Sequence, residues 1–260
     1  MKTRFILLLI TLCTSLVFVS AKLYEQAEKN YVAFDQNLYA GRYEITNLEY
    51  NLFLADLKAT NQNELYSKCI YDSTQWNQIF PKSDKGPYQT YYHNHQVYNH
   101  YPVVNITLEA AQSYCNWLTD KYHQNPERKY QKVIFRLPTE KEWIALAKPL
   151  PDHNLPWEGN SPFKKRKKQK YYLANIKSMD KTGENYCMDG AIFTLIVGHY
   201  KPNDLGFYDV IGNVAEMTAD GKIKGGSWNN TLEECTTDKT QSLTLPSPYV
   251  GFRVVMEVIE

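Results

Sequence analysis

Gly206-Phe207-Tyr208-Asp209-Val210-Ile211-Gly212-Asn213-Val214-Ala215-Glu216-Met217 is the stretch on which the reading of this chain turns. Asp209 and Glu216 stand at i and i+7, with Gly212 and Val214 at i+3 and i+5. Two acidic side chains with two backbone carbonyls between them suit a single turn wrapped around a hard cation. Ordinary loop carboxylates give the same spacing and are the commoner case, so by themselves the residues favour that reading. The stretch lies in a segment from about Leu155 to Gly226 that is rich in scattered Gly, Asn, Asp and aromatics. Loops this extensive inside a globular chain are unusual, which implies that metal ions or disulfides hold them.

The whole chain has 260 residues, 43% of them hydrophobic and 14% aromatic, with 21 Tyr and 12 Gly. That is enough apolar material for a core and excludes a wholly disordered chain. A formal net charge of +1 excludes binding to nucleic acid or an anionic membrane by bulk charge. The first residues form a separate unit: basic Lys2 and Arg4, an apolar run from Phe5 to Val19, then small residues at Ser20 and Ala21. This predicts a secretory signal peptide over residues 1–21. The rival readings are a retained membrane anchor and lipidation at Cys13, the latter disfavoured by bulky Leu12. Cys69, Cys115, Cys187 and Cys235 remain. In an oxidising compartment they allow two disulfides in three connectivities, and the lack of Cys-x-x-Cys argues against a zinc ribbon or thioredoxin-type site.

Helix starts are well marked. Thr46 with Glu49, and Thr139 with Glu142, have capping-box spacing, and Thr107 opens a third helix. Leu48, Leu52 and Ala55 are expected on the inner face of the first helix. Leu108, Ala111, Cys115 and Leu118 are expected on that of the helix from Thr107, and Trp143, Leu146 and Ala147 on that of the remaining one. Short strands are expected at Tyr101 to Ile106, Val133 to Arg136 and Phe252 to Val258. The basic run Lys164, Lys165, Arg166, Lys167, Lys168 and Lys170 reads as a solvated surface loop; nucleic-acid binding is the sharper reading, but the run has no interleaved aromatics, and docking to an acidic partner, anionic lipid or glycan is a further alternative. His93, His95 and His100 could hold a transition metal, but an aromatic- and amide-packed loop is the commoner arrangement. Asn105-Ile106-Thr107 and Asn229-Asn230-Thr231 are glycosylation sequons.

Five segments in register resemble the formylglycine-generating enzyme family, also called the sulfatase-modifying-factor domain. They are Tyr43-Glu44-Ile45-Thr46-Asn47; Tyr101-Pro102-Val103-Val104-Asn105-Ile106 with Ala111 to Trp117; Phe135-Arg136-Leu137-Pro138 through Trp143; the opening stretch Gly206 to Met217; and Lys224-Gly225-Gly226-Ser227-Trp228 with Gly251-Phe252-Arg253. The resemblance implies an α+β fold: a single loop-rich domain, C-type-lectin-like, with little regular secondary structure. The expected organisation is a signal peptide over 1–21, an N-terminal lead-in over 22–39 and the domain over 40–260. Leu173-Ala174-Asn175-Ile176-Lys177, Asp189-Gly190 and Pro202-Asn203-Asp204-Leu205-Gly206 look similar to the branch of gliding-motility and type IX secretion lipoproteins, which carry the domain as a structural part.

The resemblance further implies two calcium sites. Asn175, Ile176, Asp189 and Ala191 match the first, and Asp209, Gly212, Val214 and Glu216 the second. Oxidising relatives hold copper with two cysteines. Here Cys235 fills the second position, but Asn230 fills the first, and Val254 stands where a bridging cysteine follows Gly-Phe-Arg. An amide is no soft thiolate ligand, so copper is not expected. Thr236-Thr237-Asp238 replaces the basic residues that follow the pair. No catalytic residue is assigned beyond Cys235 as a candidate. The expected function is a secreted or periplasmic, calcium-binding, non-catalytic component of a cell-envelope assembly. Its expected partner is a protein, with a glycan or peptide as alternatives; nucleic acid is not expected, and membrane contact only through the N-terminal segment. The alternative is a metal- and oxygen-dependent oxidase using Cys235.

Overall fold

The computed structural model describes residues 30–80, 87–151, 154–178, 188–242 and 246–260. The strands are β1 (Tyr31–Asp35), β2 (Leu38–Gly41), β3 (Val133–Arg136), β4 (Phe163–Arg166), β5 (Gln169–Tyr172), β6 (Ala215–Met217), β7 (Lys222–Lys224), β8 (Gln241–Ser242), β9 (Val250–Gly251) and β10 (Val255–Val258). The helices are α1 (Asn47–Ala59), α2 (Asn63–Cys69), α3 (Trp76–Ile79), α4 (Pro87–Tyr91), α5 (Leu108–Gln124) and α6 (Glu140–Ala147). One sheet runs β1-β2-β10-β3, a second β8-β7-β6-β9, and β4-β5 form a separate hairpin. The α+β expectation holds. Among the described residues no helix is long and apolar enough to cross a membrane.

Local chemistry sets the helix starts. Thr46 and Thr139 each accept the amide of the residue three on, while Glu49 and Glu142 reach back to the cap's own amide. Thr107 caps α5 through Ala110. Ala111, Cys115 and Leu118 line the buried face of α5, as the spacing predicts, and Trp143, Leu146 and Ala147 that of α6.

The face of α1 is different from the expected one. Leu48 and Ala55 are exposed, while Tyr50, Phe53, Leu54 and Leu57 are buried. Aromatic rings bury more area than Leu or Ala. Tyr50 and Phe53 therefore turn inward; Tyr50 stacks on Tyr114 and meets Phe252 edge-on, and Phe53 meets Tyr114 edge-on, with centroids 5.7–6.4 Å apart. Tyr101 to Ile106 is extended but is no strand. It makes a single bridge, Pro102 with Thr46, because Pro102 has no amide to donate and Asn105 turns left-handed at φ 62°. The expected strand over Phe252 to Val258 is confined to Val255–Val258. The basic run is likewise an exposed hairpin and not a loop, with Phe163 opposite Tyr172 at its base.

Phe53→Ala should cost about 3–5 kcal/mol in urea unfolding, and Leu48→Ala no more than about 0.5 kcal/mol. Equal costs would place the α1 face wrongly.

Candidate functional site

The site grows from β6 and the segment after β9. Parallel pairing sets Glu216 beside Gly251, which brings Arg253 alongside Glu216. Arg253 donates from Nε to Glu216 Oε2 (3.0 Å) and from Nη2 to Oε1 (2.6 Å). The same guanidinium donates to the carbonyls of Gly41 and Tyr208 at 2.8 and 2.7 Å. Trp143 Nε1 donates to Glu216 Oε2 at 2.8 Å. Both charged side chains are closed off from solvent, at 0% and 1% exposure.

Two further carboxyls lie behind this pair. Glu44 accepts Asn213 Nδ2 on Oε1 at 3.0 Å, while its buried Oε2 has no hydrogen-bond partner. Burial, then the charge of Asp209, holds the Glu44 carboxyl well above its usual range. Asp209, in a left-handed conformation at φ 53°, accepts the amide of Gly198. Its carboxyl is pushed up to about 6, mainly by burial. Three acids thus share one guanidinium, and the surplus negative charge needs protons or a cation.

Of the second predicted calcium set, Asp209, Gly212 and Val214 lie in the buried loop that leads into β6, and Glu216 lies on β6 itself. Their two carboxyls face different groups, Asp209 toward Gly198 and Glu44, Glu216 toward Arg253 and Trp143. Gly212 has to be glycine: its φ is +79°, and a Cβ would come within 2.2 Å of the Asn175 carbonyl. The first predicted set does gather. Asp189 accepts the amides of Ile176 (2.9 Å) and Ala191 (3.3 Å), and Asn175 Nδ2 donates to Phe193 O and Asn213 Oδ1. Burial raises the Asp189 carboxyl. The two sets interlock where the Asn213 amide donates to the Asn175 carbonyl at 2.8 Å. Among the described residues no three His, Cys, Asp or Glu side chains are grouped to hold a metal. A cation here would therefore lean on backbone carbonyls, and such a donor set suits calcium. The orphaned Glu44 oxygen and the surplus charge fit a hard cation at the Asp209 end.

Cys235 ends a short turn after Leu232–Glu234 and is fully buried. Burial, then the charge of Glu234, pushes its thiol up to about 12. Held protonated in this way, the thiol is a poor nucleophile at neutral pH. Gly226 closes over it: a Cβ there would meet the sulfur at 2.3 Å. The Asn230 carboxamide accepts the Ser227 amide (3.0 Å) and hydroxyl (2.7 Å) and so works as a turn cap. A two-thiolate copper site does not fit this arrangement. Cys69 and Cys115 are free buried thiols of a different core cluster, and Cys187 lies outside the described residues, as does the predicted signal peptide.

The three histidines separate. His93 is buried, stacked 3.9 Å from the Tyr71 ring centroid, with Nε2 on the Val104 carbonyl, while His95 and His100 are exposed. Of the two sequon asparagines, Asn105 is buried and Asn229 exposed.

The family model described as "Sulfatase-modifying factor enzyme 1-like domain" matches residues 16–258. The chain belongs to the sulfatase-modifying-factor family. It is 32% identical over 123 residues to the formylglycine-generating enzyme of Mus musculus, which is 47% of this chain and 28% of that protein. To that of Bos taurus it is 31% identical over 137 residues, 52% of this chain and 30% of the relative. The matches thus span about a third of those relatives' length. Among solved structures, PvdO from Pseudomonas aeruginosa is similar at TM-score 0.52 and 20% identity, covering 85% of this chain and 80% of that one. Treponema denticola variable protein 1 is similar at 0.53 and 18%, covering 88% and 91%. These two likenesses show the family's fold.

Sequence reasoning missed Glu44, Trp143 as a hydrogen-bond donor, and Arg253 as the base that holds Glu216. Arg253 carries a signal of its own: it stands between Gly251-Phe252 and Val254-Val255-Met256, an apolar run that offers a charge no way out.

His93 supplies a test of the packing around the site. Burial depresses its imidazole from 6.5 to about 3. Its neutral form stabilises the fold above pH 6.5, and that contribution is lost as pH falls toward 3. Stability should therefore drop by about 1.4 kcal/mol per pH unit in that window from this group, and His93→Gln should flatten the slope. An unchanged slope in unfolding titrations would show His93 to be solvated.

Proposed function

We propose that this chain is a non-catalytic member of the sulfatase-modifying-factor family, exported, calcium-stabilised, and acting by binding a protein partner in a cell-envelope assembly. The observation that carries the reading is the Asn230–Cys235 pair. The scaffold is intact, but the position of one thiol is a turn-capping amide, and the other thiol is buried and protonated. Export rests on the basic and apolar N-terminal segment with its small residues at Ser20 and Ala21. Calcium rests on the surplus of buried carboxyls. The residues that would hold it are Asn175, Ile176, Asp189 and Ala191 at one position. At the other they are Asp209, Gly212 and Val214, with Glu44 and Glu216 supplying the negative charge. The ion would supply fixed positive charge and stitch the loops together.

The second reading, an oxidase working through Cys235, is favoured by the relatives' name, formylglycine-generating enzyme. Incubating the purified protein with copper, oxygen and a Cys-x-Pro-x-Arg peptide separates the two. No aldehyde is expected by mass spectrometry. Aldehyde that disappears in Cys235→Ala would sink the non-catalytic reading. Chelation is expected to lower Tm by about 5–10 °C, the size expected for losing a native-state ligand held at a hundredfold its Kd. Unchanged melting, with no calcium by elemental analysis, would remove the ion from the proposal.

A further inference from the structure

The β4–β5 hairpin is the feature that neither the fold nor the buried site explains. Lys165 and Lys170 face each other directly across it. Like charges in that position destabilise a hairpin. Its turn carries Lys167 at φ 57°, where glycine or asparagine is usual. Among the described residues, none of the basic side chains from Lys164 to Lys170 forms an ion pair with an acid. The hairpin's aromatic base, Phe163 against Tyr172 with Lys170 Nζ 4.5 Å from the Phe163 centroid, holds it together despite this repulsion. Among the described residues these charges are therefore left to solvent and free to meet an acidic partner.

Lys164, Lys165, Arg166 and Lys170 are among the residues that line a cleft of about 1380 Å³. That exceeds the roughly 300–1000 Å³ of pockets for small ligands. Trp157, Tyr171 and Tyr200 also line it, and Glu158, Asp189, Asp204 and Asp209 add acidic side chains. None of Ser227, Asn230 and Cys235 lines it. A flat bilayer does not fit a concave cleft, and a polyphosphate carries charge on every unit, so it has no uncharged face to turn toward the acidic side chains that line the same cleft. An extended polypeptide fits both features: side chains alternate, so its carboxylates can face the bases while its other side chains lie on the rings. Among the described residues β4 and β5 pair only with each other, so an added strand has an edge to join.

We propose that this cleft binds an extended acidic segment of a partner protein. The inference deepens the binding reading above and rests on it for the partner being a protein. Fluorescence anisotropy tests it on the full chain, with a fluorescein-labelled peptide of about 12 residues bearing Glu at alternate positions. Saturable binding that weakens with added salt is expected. Lys164→Glu with Arg166→Glu should weaken it about tenfold. Lys167→Asn with Lys168→Gly relaxes the turn, so it should melt no lower than the parent and yet bind about threefold more weakly.

Binding no tighter than that of the matching Gln peptide, or affinity unchanged in both variants, would overturn the proposal. So would tighter binding to phosphatidylserine vesicles or to a thymidine oligonucleotide than to the acidic peptide. The aldehyde assay reads Cys235 and this assay reads the hairpin. Failure here therefore leaves the non-catalytic reading standing, and aldehyde formation there would not alter the peptide result.

Discussion

The buried pair of Glu216 and Arg253 is the constraint around which the rest is arranged. A lone carboxylate or guanidinium in this interior would cost several kcal/mol. Each is tolerable only because the other is fixed in place, and fixing them takes most of the architecture. Glu216 needs β6 and the indole of Trp143 on α6. Arg253 needs the carbonyls of Gly41, at the end of β2, and Tyr208, in the long loop. One ion pair therefore ties both sheets, a helix and the loop tract to a common point. Glu44 and Asp209 are perturbed first by their burial, and the Arg253 guanidinium that faces them is already committed to Glu216.

The loop tract is held by side-chain amides that substitute for a sheet's ladder. Asn213 accepts the Leu195 amide and donates to Glu44, and it meets Asn175 through both backbone and side chain. Asn203 donates to the Leu146 and Ala147 carbonyls at the end of α6 and accepts the amides of Leu205 and Phe207. A carboxamide both donates and accepts, so one residue can satisfy a helix end and a loop together. This is how a chain with little regular structure leaves few buried polar groups unpaired.

What the sequence made legible follows from the range of the interactions. Thr46–Glu49 and Thr139–Glu142 act within one helical turn, so the helix starts could be read directly. The inner face of α1 could not, because it depends on Tyr114 and Phe252, far along the chain. The link between Asn213 and Glu44 spans 169 residues, and nothing local announces it. The cysteine deficit was legible, since Asn230 and Cys235 follow Ser227 closely. That Cys235 is sealed under Gly226 was not, because it depends on a left-handed glycine and a turn packed from two directions.

The placement of β10 bears on how the molecule is made. Its strand lies in the interior of its sheet, between β2 and β3, yet comes far later in the sequence than either. Without Val255–Val258, β2 is paired with β1 alone and β3 with no strand of that sheet, and Arg253 belongs to the same distant segment. Closing contacts of such long range makes folding slow, because the chain between β3 and β10 has to be brought together before either strand gains the other as a partner.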